Sequence, residues 1–302
     1  MGNRIFVAVV VLLWATTMSW LLVAKILPPF LPGEPPNHGI IEQDEPVCWE
    51  IRCADRWVGY AVRQAVPGAQ STTEVISRVV LKDIPLRQMA PQWMGGIVEN
   101  LGPIELDTRT RVVLDSLGNL SNFDSKVQLN DLPLVVRVYG LVEGATLRLR
   151  FISGDVSHEV HYPLPQSSIV DGELAPEPKL LQVYVGRRWQ TEMFSPFRPP
   201  VDAIELLQAE VVAEESIFHE GKLTRTRRIE YRSMSAAGVA SAETLRAEAW
   251  VAEDSTVLRY DVYLLNAKLR FERRLDSQMI ALARDLLDLE TVATLAIPRT
   301  IP

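Results

Sequence analysis

From Trp49 onward apolar and polar side chains alternate with a period of two, and this alternation confines the chain to sheet more tightly than any other feature. Ile104, Leu106, Thr108, Thr110 and Val112 interleave with Glu105, Asp107, Arg109, Arg111 and Val113. Ala145, Leu147, Leu149 and Phe151 interleave with Thr146, Arg148, Arg150 and Ile152. Leu258 to Leu264 and Ala267 to Phe271 repeat the pattern, with Arg259, Asp261, Lys268 and Arg270 on the other parity. Successive side chains of a strand point to opposite faces, so each run has one oily and one wet face, as antiparallel strands do.

Turns fall where hairpins need them, at Leu117-Gly118-Asn119, Val142-Glu143-Gly144, Ser153-Gly154-Asp155, Glu220-Gly221 and Glu253-Asp254-Ser255. The template gives roughly twelve to fourteen strands, too many for one flat open sheet. The expected fold is mainly β: a large curled antiparallel sheet, as a half-barrel or two packed meanders, with a few short helices. No fixed-period repeat is present, although residues 57–163 and 189–274 both read as meanders.

Before the alternation begins, Ile5 to Ala24 run for twenty residues without a charge, between Arg4 and Lys25. A helix of that length spans about 30 Å, the thickness of a bilayer's hydrocarbon core. A cleaved signal peptide would have a shorter apolar region, and cleavage at the small-residue pair Thr17 and Ser19 would leave Trp20-Leu21-Leu22-Val23 on the new terminus. The expectation is an uncleaved signal anchor over residues 1–25, its basic N-terminus cytoplasmic and the bulk periplasmic or extracytoplasmic. Residues 26–46 are Pro-rich and read as a stiff linker. The exported β domain then covers 47–275, and an amphipathic helix and tail cover 276–302, where Met279, Leu282, Ala283, Leu286 and Leu289 share one side.

Several residues recur as a set of hairpin signatures: Trp49-Glu50-Ile51 followed by Trp57-Val58-Gly59-Tyr60, then Leu117-Gly118-Asn119-Leu120, Val142-Glu143-Gly144 and Val185-Gly186-Arg187-Arg188-Trp189. A further signature is Trp250-Val251-Ala252-Glu253-Asp254-Ser255-Thr256-Val257-Leu258, with Ser255 where glycine is commoner. Together, over roughly residues 48–275, they resemble the β-rich domains that precede transglutaminase-like domains in membrane-anchored bacterial proteins. The curled sheet is also similar in shape to periplasmic carriers of lipoproteins and lipids. No Cys, His and Asp set follows before Pro302, so the resemblance implies an accessory domain without the hydrolase.

Candidate sites are few. Cys48 and Cys53 suit an exported domain as a local disulfide or as structural thiols. On one straight strand, however, they lie about 17 Å apart and face opposite sides. His158-Glu159-Val160-His161 lacks the helical pairing of a zinc motif, and on a strand its two rings point apart. Lys222, Arg225, Arg227, Arg228 and Arg232 form the main basic cluster, read as a solvated hairpin arm ahead of a headgroup site. Trp93, Met94, Ile97 and Val98, with Met279, Leu282 and Leu286, are candidates for a hydrophobic lid or for ligand contacts over the trough.

No G-x-S-x-G elbow, phosphate loop or metal signature occurs, and no cofactor is expected. A formal charge of −7 and a pI near 5.3 argue against nucleic acid as a partner. The expected role is a non-catalytic scaffold, accessory or partner-binding subunit of the bacterial envelope, held to the membrane by Ile5 to Ala24 and meeting an envelope protein. The alternatives are a carrier or sensor of a lipid or other hydrophobic ligand in the concave sheet, and a hydrolase whose residues form no recognisable motif.

Overall fold

The computed structural model describes residues 2–21, 45–84, 104–129, 136–163, 170–172, 174, 176–194, 204–234, 240–264, 267–275 and parts of 279–287. The apolar stretch forms the helix α1 (Gly2–Leu21). Side chains are described for residues 10–20 of it, about 16 Å of helix. Over the described residues no helix is long and apolar enough to cross a membrane.

Among the described residues fifteen strands follow: β1 (Val47–Cys53), β2 (Arg56–Pro67), β3 (Thr73–Ile84), β4 (Ile104–Leu114), β5 (Leu120–Leu129), β6 (Val136–Glu143), β7 (Thr146–Ser153), β8 (Val156–Pro163), β9 (Val170–Gly172), β10 (Arg188–Phe194), β11 (Ile204–His219), β12 (Lys222–Met234), β13 (Ala240–Ala252), β14 (Val257–Leu264) and β15 (Ala267–Arg274). They form one continuous sheet, so of the two expected architectures the separate packed meanders do not occur. Neighbours run antiparallel except β9 and β10, which are parallel, a departure from the fully antiparallel sheet read from the alternation. The strand number also exceeds the twelve to fourteen expected, because β9 is three residues long and carries no periodic signal.

The order across the sheet is β9 through β15, then β1 through β8. It is a simple meander whose first and last strands, β1 and β15, meet in the middle, with Cys48 opposite Arg274 and Cys53 opposite Leu269. The two outer strands, β8 and β9, are consecutive in the chain. Laid flat, fifteen strands would be about 67 Å wide. The six residues 164–169 reach at most about 25 Å, so the sheet has to curl until its edges approach. Ile204 of β11 accordingly packs against an apolar cluster of β5 to β7 (Leu120, Phe123, Val138, Leu147 and Leu149), although β11 lies near the other edge of the sheet.

The inward face holds the main core, including Trp49, Ile51, Leu81, Leu106, Trp189, Leu207, Ile229, Tyr260, Leu269 and Phe271. Close approach fixes two glycines. A Cβ on Gly59 would sit 1.9 Å from the Val80 carbonyl oxygen, and one on Gly140 would enter the Phe123 ring at 2.2 Å. Gly59 lies beside the register shift between Ile51 and Arg52, which explains the glycine in the Val58-Gly59-Tyr60 signature. On the opposite face the C-terminal helix α2, described at 279–281, 283–285 and 287, lays Ala283 and Leu287 on Cys48 and Val62, with Met279, Tyr60 and Ile76 at the margin. That cover buries Cys48, while Glu50 and Arg52 farther along the same face of β1 stay half-buried.

Candidate functional site

The inner wall is the natural place to look for a site, since curling makes it concave. A row of aromatics crosses it. Trp189 meets Tyr231 edge-on at 6.2 Å, Tyr231 meets Tyr260 at 6.4 Å, and Tyr260 meets Phe271 at 6.0 Å. These geometries bring a positive ring edge to a negative ring face and favour a fixed arrangement over a fluid one. The row comes from β10, β12, β14 and β15, and the cross-strand register places all four rings on one side.

The trough is occupied by the chain's own irregular segment between β9 and β10. Leu174, Leu180 and Val183 are buried within the same core as the strand residues. The segment is tied to the wall by its backbone: the Leu180 N–H donates to Ser255 O at 2.9 Å, and Val257 N–H donates to Pro178 O at 3.1 Å. Arg273 Nη1 also donates to Pro178 O at 2.9 Å, and Glu177 pairs with Arg63 at 2.5 Å. Burial presses the Arg273 guanidinium below its usual pKa, with Asp254 in partial opposition. Further along, Arg187 lies over the Tyr184 and Trp189 rings at 6.0 and 5.8 Å.

Polar groups also face inward. Arg63, Ser77, Thr110 and Ser125 are successive cross-strand partners on β2 to β5, and Thr110 and Ser125 share a hydrogen bond of 2.8 Å. One position along, Trp49 Nε1 and Thr108 Oγ1 are buried without a hydrogen-bond partner. Buried polar atoms without partners are uncommon in folded proteins.

The outer face is charged, and its charges are paired. Asp261, fully buried, receives Arg259 Nε at 3.0 Å and Lys268 Nζ at 2.6 Å, with Arg270 at 3.4 Å. Glu248 meets Arg228 at 3.1 Å and accepts the Tyr263 hydroxyl at 2.8 Å. Arg259 also stacks on Trp250 at 4.2 Å. Burial works against the charge on Glu50, but Arg274 and Arg52 outweigh it and hold the carboxyl below the usual range. Asp107 is held down in the same way against its burial, by the two-pronged Arg78 and by Arg109.

The residues singled out in the sequence fall into three groups. Cys48 and Cys53 form no disulfide and lie buried at opposite faces of β1, Cys48 under α2 and Cys53 in the inner core, where burial raises its thiol pKa. Met279 packs on the outer face of β1 to β3, so α2 covers the side away from the trough and the expected lid is not where it stands. Trp93, Met94, Ile97, Val98, Leu282 and Leu286 lie outside the residues whose side chains are described. The four arginines of the basic cluster are paired, Lys222 being the member with no ion pair among the described residues. Glu214 holds Arg225 and Arg227, Glu248 and Glu230 hold Arg228, and Glu230 holds Arg232. His158 and His161 both lie exposed on the edge strand β8, and among the described residues no group of acids, histidines and cysteines could hold a metal ion.

Two features had no clear forecast in the sequence. Ser167 to Val185 reads as irregular and acidic before turning apolar, and only that apolar end, with Leu180 and Val183, signals that the segment turns inward. The hairpin of β11 and β12 overruns its neighbours, since pairing with β10 stops at Glu210 and pairing with β13 begins at Thr226.

No family model and no curated protein matches the chain. Among solved structures it is similar to a β-barrel-like protein of a domain of unknown function, DUF1849, from Brucella abortus. The identity is 12% and the TM-score 0.47, with 76% of this chain and 95% of that chain covered.

Proposed function

We propose that the chain is a non-catalytic, membrane-anchored β domain of the bacterial envelope that serves as a scaffold, accessory or partner-binding subunit. The observation that carries this reading is the filled trough. Leu174, Leu180 and Val183 occupy the inner wall that a carrier would leave open for cargo. The anchor is α1, with its N-terminus in the cytoplasm and the β domain on the far side. In its favour, Val10 to Trp14, Met18 and Trp20 present apolar side chains around the helix. The Thr16 and Thr17 hydroxyls donate to the Leu12 and Leu13 carbonyls at 2.8 and 2.6 Å, so their polarity is spent within the helix.

The second reading is a carrier of a lipid or other hydrophobic ligand. It draws on Trp49 Nε1 and Thr108 Oγ1, buried inward-facing groups that an amphipathic ligand's oxygen could satisfy. Native mass spectrometry of the full chain released from detergent separates the two. The scaffold reading expects the bare polypeptide mass, alone or with a protein partner. A lipid retained one-to-one with the chain overturns it and installs the carrier.

A further inference from the structure

In a meander the turns alternate between the two ends of the sheet, so each exposed residue near a turn can be assigned to an end. The chain enters the β domain at Val47. The β4–β5, β11–β12 and β13–β14 turns, the start of β10 and the end of β15 all lie at this same end. Six large apolar residues stand exposed there: Leu117, Tyr184, Val185, Phe218, Leu223 and Leu275. Leu117 is 85% exposed, Phe218 75% and Leu223 66%. At the opposite end, among the described residues, the exposed large apolar groups are Trp57, Val156 and Leu206.

The arm formed by β11 and β12 carries the most prominent pair. Phe218 and Leu223 are direct cross-strand partners one step from the Glu220-Gly221 turn. The arm is held in place: Glu220 Oε1 accepts the Leu275 N–H at 3.0 Å, which sets the tip beside the end of β15. Arg274, the last residue of β15, lies opposite Cys48, so the tip stands next to the point where residues 26–46 arrive from α1. Arg225 and Arg227, the arginines nearest the tip, are both held by Glu214. Attraction to a surface would therefore come from apolar side chains more than from charge.

We propose that this entry end is a lipid-contact face: Phe218, Leu223, Leu117 and Leu275 dip into the surface of the bilayer that holds α1. The inference rests on the anchored reading above. A lipid surface fits better than a protein groove because the residues come from separate turns at one end of the sheet, each projecting singly. Phe, Leu and Tyr also suit the boundary between headgroups and acyl chains. The tether delivers this end to the bilayer before any other part of the domain.

The test uses the full chain in phosphatidylcholine vesicles, with Phe218→Cys carrying an environment-sensitive dye. The two native cysteines are buried and do not compete for the label. The expected result is a blue-shifted emission quenched by spin-labelled lipid at a depth of about 5–10 Å. The same dye on Asp155→Cys, in the β7–β8 turn at the far end, stays unquenched. Changing Leu223 to Ser in the Phe218→Cys background weakens the quenching, and both positions are exposed enough to leave the fold intact. An unquenched arm on a chain that resists alkaline carbonate extraction overturns this inference and leaves the anchor standing. So does a blue shift accompanied by self-association, which would assign the face to a second copy. Release of the chain by carbonate overturns both.

Discussion

The sheet is continuous, yet its two halves are built differently. From β10 through β15 and on to β4, the inner wall carries two buried tryptophans, the aromatic row and the inserted segment at 174–183, while the outer wall is bound by paired charges around Asp261, Glu50 and Asp107. From β5 to β8 the buried set shrinks to Leu120, Phe123, Val138, Leu147 and Leu149, and β8 is largely exposed. The difference teaches where cooperativity resides. A strand with neighbours on both sides and cover on both faces unfolds only with the whole, whereas an edge strand opens alone.

The sharpest test of that contrast is a pair of truncations. Trp49→Ala, at the meeting of β1 and β15, should cost about 3–5 kcal/mol and lower the single unfolding transition of the domain. Leu149→Ala should cost about 2–4 kcal/mol and show chiefly as faster hydrogen exchange in β7 and β8. Equal loss of protection across both halves in the two variants would dissolve the distinction.

Next in size is the outer wall. Asp261→Ala leaves Arg259, Lys268 and Arg270 crowded around a missing partner, and denaturant unfolding should record a loss of about 3 kcal/mol. Removing Glu159 from the exposed β8 should change stability by less than about 0.5 kcal/mol. A matching loss there would show that charge pairing supports both halves alike.

Acid should act unevenly too. Glu50 and Asp107 have folded pKa values below their ordinary ones, so their contribution is full above the unfolded values and fades as pH falls through the folded ones. Melting followed from neutral pH to about pH 3 should lower the single unfolding transition of the domain, and Glu50→Gln should flatten part of that slope. His219 adds a smaller term of the same direction. Burial depresses its pKa, so acidification below about pH 6.5 favours the unfolded arm. A small effect of the opposite sign is expected at Ser255, whose φ of 69° is left-handed. Ser255→Gly should raise stability by about 0.5–1 kcal/mol, read as a modest increase in melting temperature.

Much of this was legible beforehand. The alternations at 104–112, 145–151, 258–264 and 267–271 became β4, β7, β14 and β15, because hydrophobic parity and strand geometry share one period. The turn residues likewise sit between paired strands. Ser255 takes a left-handed conformation that glycine would adopt without strain. The site was far less legible. Charges that look like a basic cluster prove to be ion pairs, because their acids lie across the sheet: Glu214 is 11 residues from Arg225, and Glu248 is 20 from Arg228. The C-terminal helix showed an apolar stripe, but a stripe does not say which wall it covers.

The sequence by itself determined that strands would form, where they would turn, which parity of each would be oily, and that an apolar segment precedes them. These are local matters of side-chain direction and backbone preference. Only the tertiary structure decided that β1 meets β15, that β8 and β9 become the two edges, and that 174–183 fills the trough. Only it gathered six exposed apolar residues at the end where the chain enters. Those outcomes depend on which distant surfaces exclude water together, and no local period encodes that choice.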